Sequence, residues 1–199
     1  MTNTECTVPV SVLLASPYDL TYGNSVYAIV SATNSVGTSV NSAVSTTRAK
    51  LMSNPDPPRN LDYTVVDSSG TQVALIWDQG ANNYGSAITS YRVSSDGGDP
   101  VGAFSVIAET VAVTTYTATS LTAGTTYRFK LEATNEFGYS TYSDEYSYLA
   151  AQEPDAPTAL TNDASITSYT KIGFYWSAPS FNGGTAVIDY RVSFDQGTA

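Results

Sequence analysis

The chain resembles itself at a spacing of about one hundred residues, and this constrains its fold more than any single motif. Pro55-Asp56-Pro57-Pro58, Leu61, Val73-Ala74-Leu75-Ile76-Trp77 and Tyr91-Arg92-Val93-Ser94 return as Pro154-Asp155-Ala156-Pro157, Leu160, Ile172-Gly173-Phe174-Tyr175-Trp176 and Tyr190-Arg191-Val192-Ser193, at a constant offset of 99 (176 − 77 and 190 − 91). A second set, Leu121, Gly124, Ala133-Thr134-Asn135 and Gly138, is preceded by Leu20, Gly23, Ala32-Thr33-Asn34 and Gly37, at an offset of 101 (133 − 32). A repeat of this length is a whole domain, longer than the units of helical or leucine-rich solenoids.

Within the unit the apolar period is two. Val73, Leu75 and Trp77 alternate with Ala74 and Ile76, and Tyr127, Phe129, Leu131 and Ala133 alternate with Arg128, Lys130 and Glu132. Such alternation describes half-buried strands. Between them lie Asp67-Ser68-Ser69-Gly70, Asn82-Asn83-Tyr84-Gly85, Asp96-Gly97-Gly98-Asp99 and Ala123-Gly124, all rich in residues that tolerate positive φ. No window shows helical spacing of apolar residues over three turns. Short strands separated by turns at this density predict an all-β chain of antiparallel two-sheet sandwiches, with about seven strands per unit.

The stretch 55–152 resembles a fibronectin type III domain. It has a Pro-rich entry, Trp77 ending a strand, Tyr91 on the next, and then Leu121-x-x-Gly124-x-x-Tyr127-x-Phe129-x-Leu131-x-Ala133-x-Asn135-x-x-Gly138. The resemblance implies that the Trp packs between two sheets and that Tyr127 forms a tyrosine corner, its hydroxyl tied to upstream backbone. The first unit departs from the pattern, because Val26 stands where Tyr127 is expected and Tyr27 moves to the outward face.

Composition removes several chemistries. With no His, neither a Ser/His/Asp nor a Cys/His triad can be assembled within the chain. Eight basic residues against 18 acidic ones give a net charge of −10, which disfavours nucleic acid and anionic membrane as partners. No apolar run approaches the roughly 20 residues of a membrane span, and Met1–Pro9 lacks the profile of a signal peptide. Cys6 is left as a buried small apolar residue, an unpaired thiol or a bond to another chain. Asp78, Asp96, Asp99 and Glu109 are the carboxylates worth weighing for hydrolysis. Asp96 and Asp99 flank two glycines and read as turn formers. Asp56 and Asp155, at equivalent junctions, read as solvated linker residues in the absence of EF-hand spacing. No catalytic, cofactor-binding or metal-ligating residue is assigned, and no cofactor is expected. Tyr139, Tyr142, Tyr146 and Tyr148 read as half-buried strand residues, with an interface as the alternative.

Three segments follow. Residues 1–50 are expected to be the C-terminal half of one domain, 55–152 a complete domain, and 154–199 the N-terminal half of a third. The Pro-containing linkers Pro55–Pro58 and Glu153–Pro157 limit the angles between them. A non-enzymatic structural repeat protein is expected, forming a rod or filament outside the cell or on its surface. Its partners would be copies of itself, and other surface proteins or glycans. Rival readings are a spacer or binding module of a larger surface enzyme or receptor, and an intracellular cytoskeletal or ciliary scaffold. By the two offsets both ends fall in the same loop of the repeat, so the C-terminal half is expected to complete a sandwich with the N-terminal half of the next copy, on a separate subunit or in a continuous array. Terminal halves left solvent-exposed, or packed as separate half-domains with no partner copy, would overturn both versions.

Overall fold

The computed structural model describes residues 4–195, so expectations for residues 1–3 and 196–199 lie outside the described residues. One short helix, α1 (Val10–Leu14), and eleven strands follow in order: β1 (Ser25–Val26), β2 (Ala49–Lys50), β3 (Arg59–Thr64), β4 (Gln72–Asp78), β5 (Ser90–Ser95), β6 (Ser105–Val111), β7 (Thr115–Thr119), β8 (Thr126–Thr134), β9 (Tyr146–Leu149), β10 (Thr158–Asn162) and β11 (Phe174–Ser177). Strands β3 to β9 build the central sandwich, with one sheet in the order β3-β4-β7 and the other β6-β5-β8-β9. All pairings are antiparallel. Seven strands in two sheets is the architecture the alternation predicts.

Between the sheets, Val73, Leu75, Val93, Phe129 and Leu131 are fully buried, and Trp77, Tyr91, Tyr127 and Tyr148 close the cluster around them. Fully burying each aliphatic or aromatic side chain contributes about 1.5–3 kcal/mol, so these few residues carry most of the sandwich. Trp77 meets Tyr91 edge-on, with ring centroids 5.4 Å apart. The Tyr127 hydroxyl accepts from the Thr122 backbone N–H at 2.9 Å, which is the tyrosine corner expected from the Leu-to-Tyr spacing.

One strand partner is built without a strand. From Ser140 onward the chain grips β8 through serines three residues apart. Ser140 and Ser143 donate their backbone N–H groups to Ala133 and Leu131, and their hydroxyls accept from the N–H groups of the same two residues. A three-residue period is that of a polyproline-like extended chain, which keeps every third side chain on one side. Residues 39–45 repeat this, with Ser39, Ser42 and Ser45 receiving the N–H groups of Ala32, Val30 and Ala28.

The terminal stretches reproduce part of the central unit. Strand β10 pairs with β11 in the register of β3 with β4, including the irregularity after its first residue: Thr158↔Ser177 and Asn162↔Phe174 answer Arg59↔Asp78 and Tyr63↔Leu75. Strand β1 pairs with β2 as β8 pairs with β9, with Val26↔Ala49 answering Tyr127↔Tyr148. That register places a two-residue insertion between Ser42 and Ala49, which reconciles the two sequence offsets.

Several expectations need correction. Trp176 keeps its edge-on contact with Tyr190, again at 5.4 Å, but it is only half-buried and Tyr190 is 38% exposed. Trp176 stands at the repeat position of Trp77 but does not share its burial, because the sheet that would cover it is not supplied by residues 154–195. Helix α1 appears where the alternation gives no helix. Its central counterparts lie beside β6 and β7, whose partners are β5 and β4, so residues 4–18 have no equivalent strand to pair with and Val10–Leu14 closes one local turn. Cys6 is exposed, not a core residue. The terminal halves leave Val30, Ile172, Val192 and Phe194 more than half exposed, and no sheet among the described residues joins β1 or β2 to β10 or β11.

Candidate functional site

The most organised feature outside the core is a joint, and the chain contains it twice. At the first, the Gly23 N–H donates to the Leu51 carbonyl at 2.8 Å and the Leu51 N–H to the Asn24 carbonyl at 2.9 Å; the Ser53 and Asp56 N–H groups then donate to the Tyr84 and Asn82 carbonyls. At the second, Gly124 donates to Ala150 at 2.7 Å and Ala150 to Thr125 at 3.0 Å, while Gln152 and Asp155 donate to Gly183 and Phe181. Each joint uses the later part of one unit and the early part of the next, so both are complete here. The linker backbone is tied to both neighbours, which leaves few free torsions.

Two glycines face each other at each joint. A Cβ on Gly85 would collide with the Gly23 nitrogen and stand 2.8 Å from the Leu51 carbonyl oxygen; a Cβ on Gly184 would collide with the Gly124 nitrogen and stand 3.1 Å from the Ala150 oxygen. Gly85 and Gly184 also have φ of +81° and +91°, a region other residues rarely adopt. The carboxylates at this place have a structural task. Asp56 accepts from both the backbone and side-chain N–H of Asn82, at 3.0 and 2.8 Å, and Asp155 accepts from the Ser180 hydroxyl at 3.2 Å. Tyr22 packs edge-on against Tyr84 at 4.9 Å in the first joint, where the second has Ala123 and Gly183. The neighbouring Asp56 carboxylate raises the Tyr84 phenol above its ordinary range.

The other concentration of chemistry is the outer face of the β5–β8 pair. The serine spacing places Tyr139, Tyr142 and Glu145 in a column over Arg92, Lys130 and Arg128. The Arg92 guanidinium lies 4.0 Å from the Tyr139 ring centre, Lys130 sits between Tyr142 (3.9 Å) and Phe104 (4.0 Å), and Arg128 reaches Glu145 at 3.4 Å. Arg92 also bonds Glu132 at 2.7 Å. Each ring therefore gives a face to a cation of its own chain, worth about 0.5–1 kcal/mol at an exposed site. Tyr146 and Tyr148 turn the other way and pack on Tyr63, at 6.1 and 5.1 Å. Burial, then the nearby Asp62 carboxylate, pushes the Tyr146 phenol up to about 12.

Asp96 does more than form a turn. It is buried and accepts from Gly98 N–H at 2.9 Å, Arg128 N–H at 3.0 Å and Arg128 Nε at 2.8 Å. Burial alone would raise its carboxyl, but these bonds and the guanidinium charge outweigh it and hold the group below the usual aspartate range. Asp78 accepts from Asn60, Asp99 from the Val101 N–H, and Glu109 is exposed on β6, so the structure does not bring these carboxylates together around a cleft. Among the described residues, no group of three His, Cys, Asp or Glu side chains converges to hold a metal ion.

Two sheets in this order, a Trp between them and a tyrosine corner define an immunoglobulin-like β-sandwich. Residues 56–147 match the family model of the fibronectin type III domain, and the central unit is a fibronectin type III domain. Chitinase A1 of Niallia circulans is 32% identical over 141 residues, which is 68% of this chain and 18% of that protein. A Kelch domain-containing protein of Saccharolobus solfataricus is 34% identical over 80 residues, 40% of this chain and 11% of that one. The chain thus spans less than a fifth of either relative. A crystal structure of domains from titin shares 26% identity over 66% of this chain and 42% of that one, with a TM-score of 0.49. A Fn3-like protein from Clostridium thermocellum shares 28% identity over 52% of this chain and 98% of its own, with a TM-score of 0.41. No helix among the described residues is long and apolar enough to cross a membrane.

Proposed function

We propose that this chain is a non-enzymatic, load-spacing segment in which sandwiches follow one another at a fixed angle, forming a rod outside the cell or on its surface. The observation that carries the reading is the doubled joint: the same backbone bonds and the same facing glycines recur at Gly23/Gly85 and Gly124/Gly184. A flexible tether has no need of positive-φ glycines pressed against a neighbouring unit, whereas a fixed angle does. Replacing Gly85 and Gly184 by Ala tests this by limited proteolysis. The parent linkers, residues 51–58 and 150–157, should resist cleavage, and the double variant should be cut there at least about fivefold faster while the central sandwich stays folded, since a strained, clashing Cβ costs more than about 1 kcal/mol at such a site. Equal cleavage of parent and variant would rule out a built joint.

The match to part of Chitinase A1 favours a second reading, in which the same rigid spacer sits within a larger surface enzyme or receptor. Both readings give these residues the same task, and the flanking sequence of the full gene separates them.

A further inference from the structure

The two joints share one turn and differ at its middle residue. In the first, Asn83-Tyr84-Gly85, the Gly85 N–H donates to Asn83 Oδ1 at 3.3 Å; in the second, Asn182-Gly183-Gly184, the Gly184 N–H donates to Asn182 Oδ1 at 3.0 Å. The middle residue has positive φ in both, +46° at Tyr84 and +77° at Gly183. Backbone and side-chain bond are alike, so what separates the chemistry of the two turns is the side chain at that middle position.

Asn182-Gly183 is the one Asn-Gly step in the sequence, and every other Asn is followed by a residue that carries a Cβ. The carbonyl carbon of an Asn side chain lies within reach of the next residue's backbone nitrogen, and a Cβ on that residue crowds the approach, whereas glycine leaves it open. Asn182 is exposed, and among the described residues nothing accepts the Gly183 N–H. The Gly184 N–H on Oδ1 polarises the carbonyl under attack and stabilises the charge that develops on its oxygen. The other step prone to the same ring closure, Asp96-Gly97, is shielded. Its carboxylate is buried against Arg128, and the Gly97 N–H is donated to Ser95 Oγ at 3.2 Å.

We propose that Asn182 is a site of spontaneous covalent modification, and that its conversion to isoaspartate releases the second joint while the first stays fastened. The Gly183 nitrogen gives its proton to solvent base and bonds to Asn182 Cγ; the Cγ–Nδ2 bond breaks and ammonia leaves, closing a cyclic imide. Water then opens the ring. Opening at Cγ gives aspartate with the main chain as before, and opening at the main-chain carbonyl carbon routes the chain through Cβ and Cγ, one atom longer. One water enters and one ammonia leaves, and no oxidant is needed. The added atom falls where the joint has no slack. Gly183 is buried, its carbonyl accepts the Gln152 N–H at 2.9 Å, a Cβ on it would collide with the Gln152 carbonyl, and Gly184 is pressed against Gly124. The release rests on the fixed-angle reading of the joints; the modification itself does not.

The test stores the purified 199-residue chain warm at mildly alkaline pH, maps its peptides by mass and fragmentation, and follows linker cleavage by limited proteolysis over the same period. Asn182 should gain the amide-to-acid mass at least about tenfold faster than Asn83, a ratio that a modest steric difference in a barrier supplies. The aged chain should also accept methyl groups from an isoaspartate-specific methyltransferase. Cleavage within 150–157 should quicken at least about fivefold in the modified fraction, with 51–58 unchanged. Asn182→Gln, whose longer side chain closes a ring far less readily, should hold both linkers at their starting rate. Unaged Asn182→Asp, which carries the charge without the added atom, should resist as the fresh parent does. Conversion no faster at Asn182 than at Asn83 overturns the proposal. So does a modified chain cut no faster within 150–157, or unaged Asn182→Asp cut as fast as the aged parent, which would assign the release to charge. A fresh parent already cut freely at both linkers sinks the fixed-angle reading, and the release falls with it while the mass signature at Asn182 stands.

Discussion

The central sandwich and the terminal stretches share their sequence pattern, yet they keep different parts of one architecture. Pairings between strands that are near neighbours in the chain survive in both: β3–β4 returns as β10–β11, and β8–β9 as β1–β2, in the same registers. The edge-on Trp–Tyr contact survives as well, at 5.4 Å in each. Pairings between the two halves exist only where both halves are present. Register and aromatic contact are therefore local properties of each half, whereas burial belongs to the completed sandwich. Tyr91 and Tyr190 show this directly, at 5% and 38% exposure with the same ring partner.

The comparison breaks most visibly at tryptophan. Trp77→Ala should cost the central sandwich about 3–5 kcal/mol in urea unfolding, because it empties a closed core. Trp176→Ala in the isolated chain should leave that transition where it is, and comparable losses from both substitutions would show the terminal stretch already closed.

Asp96→Asn comes next, at about 2 kcal/mol, since it removes the charge from three charge-assisted or backbone bonds in a buried site. The sign with pH follows from a carboxyl held low: its contribution is present above the ordinary aspartate range and is lost as the solution is acidified below that range through the group's own lowered pKa. Parent and variant stabilities should converge in acid, and a constant gap would refute the assignment.

Tyr127→Phe should cost about 1 kcal/mol through the corner bond to Thr122. The first unit meets the same need differently. The Thr21 N–H, counterpart of that of Thr122, donates to the Asn24 side chain at 2.8 Å, so Val26 leaves no orphaned donor there. Asn24→Ala should leave the thermal midpoint of the central sandwich unchanged.

The smallest effect is confined to alkali. Tyr146 has its phenol raised from 10.0 to about 12, so its contribution is complete below pH 10 and is lost as pH rises from there towards 12. Tyr146→Phe should flatten that limb of the stability curve and leave neutral stability nearly unchanged.

The sandwich was legible in the sequence because its signals are short-range: period-two alternation, turn residues, and a Leu-to-Tyr spacing that fixes the corner. Gly85 read as an ordinary turn glycine and Gly184 drew no reading, since the atoms that exclude a side chain there belong to the preceding unit. Asp96 read as a turn former because its guanidinium partner lies 32 residues away. The grip of Ser140 and Ser143 went unread because three-residue spacing belongs to neither a helix nor a strand. Its one signal is the recurrence of the same spacing at Ser39, Ser42 and Ser45. Helix α1 had no signal, being what residues 10–14 do without the strands their counterparts lie beside.

The serine grip also determines which hydroxyls can be chemically modified. Ser140 and Ser143 are buried; their oxygens accept from β8 and donate onward to the carbonyls of Thr141 and Asp144. A buried hydroxyl that both accepts and donates has no free proton and no open approach to offer a transferase. A sugar or phosphate attached there would strip two rungs from β8, unfastening the sheet and lifting Tyr139 and Tyr142 from their cations. In a chain this rich in serine, attachment is therefore disfavoured at Ser140 and Ser143 relative to exposed hydroxyls.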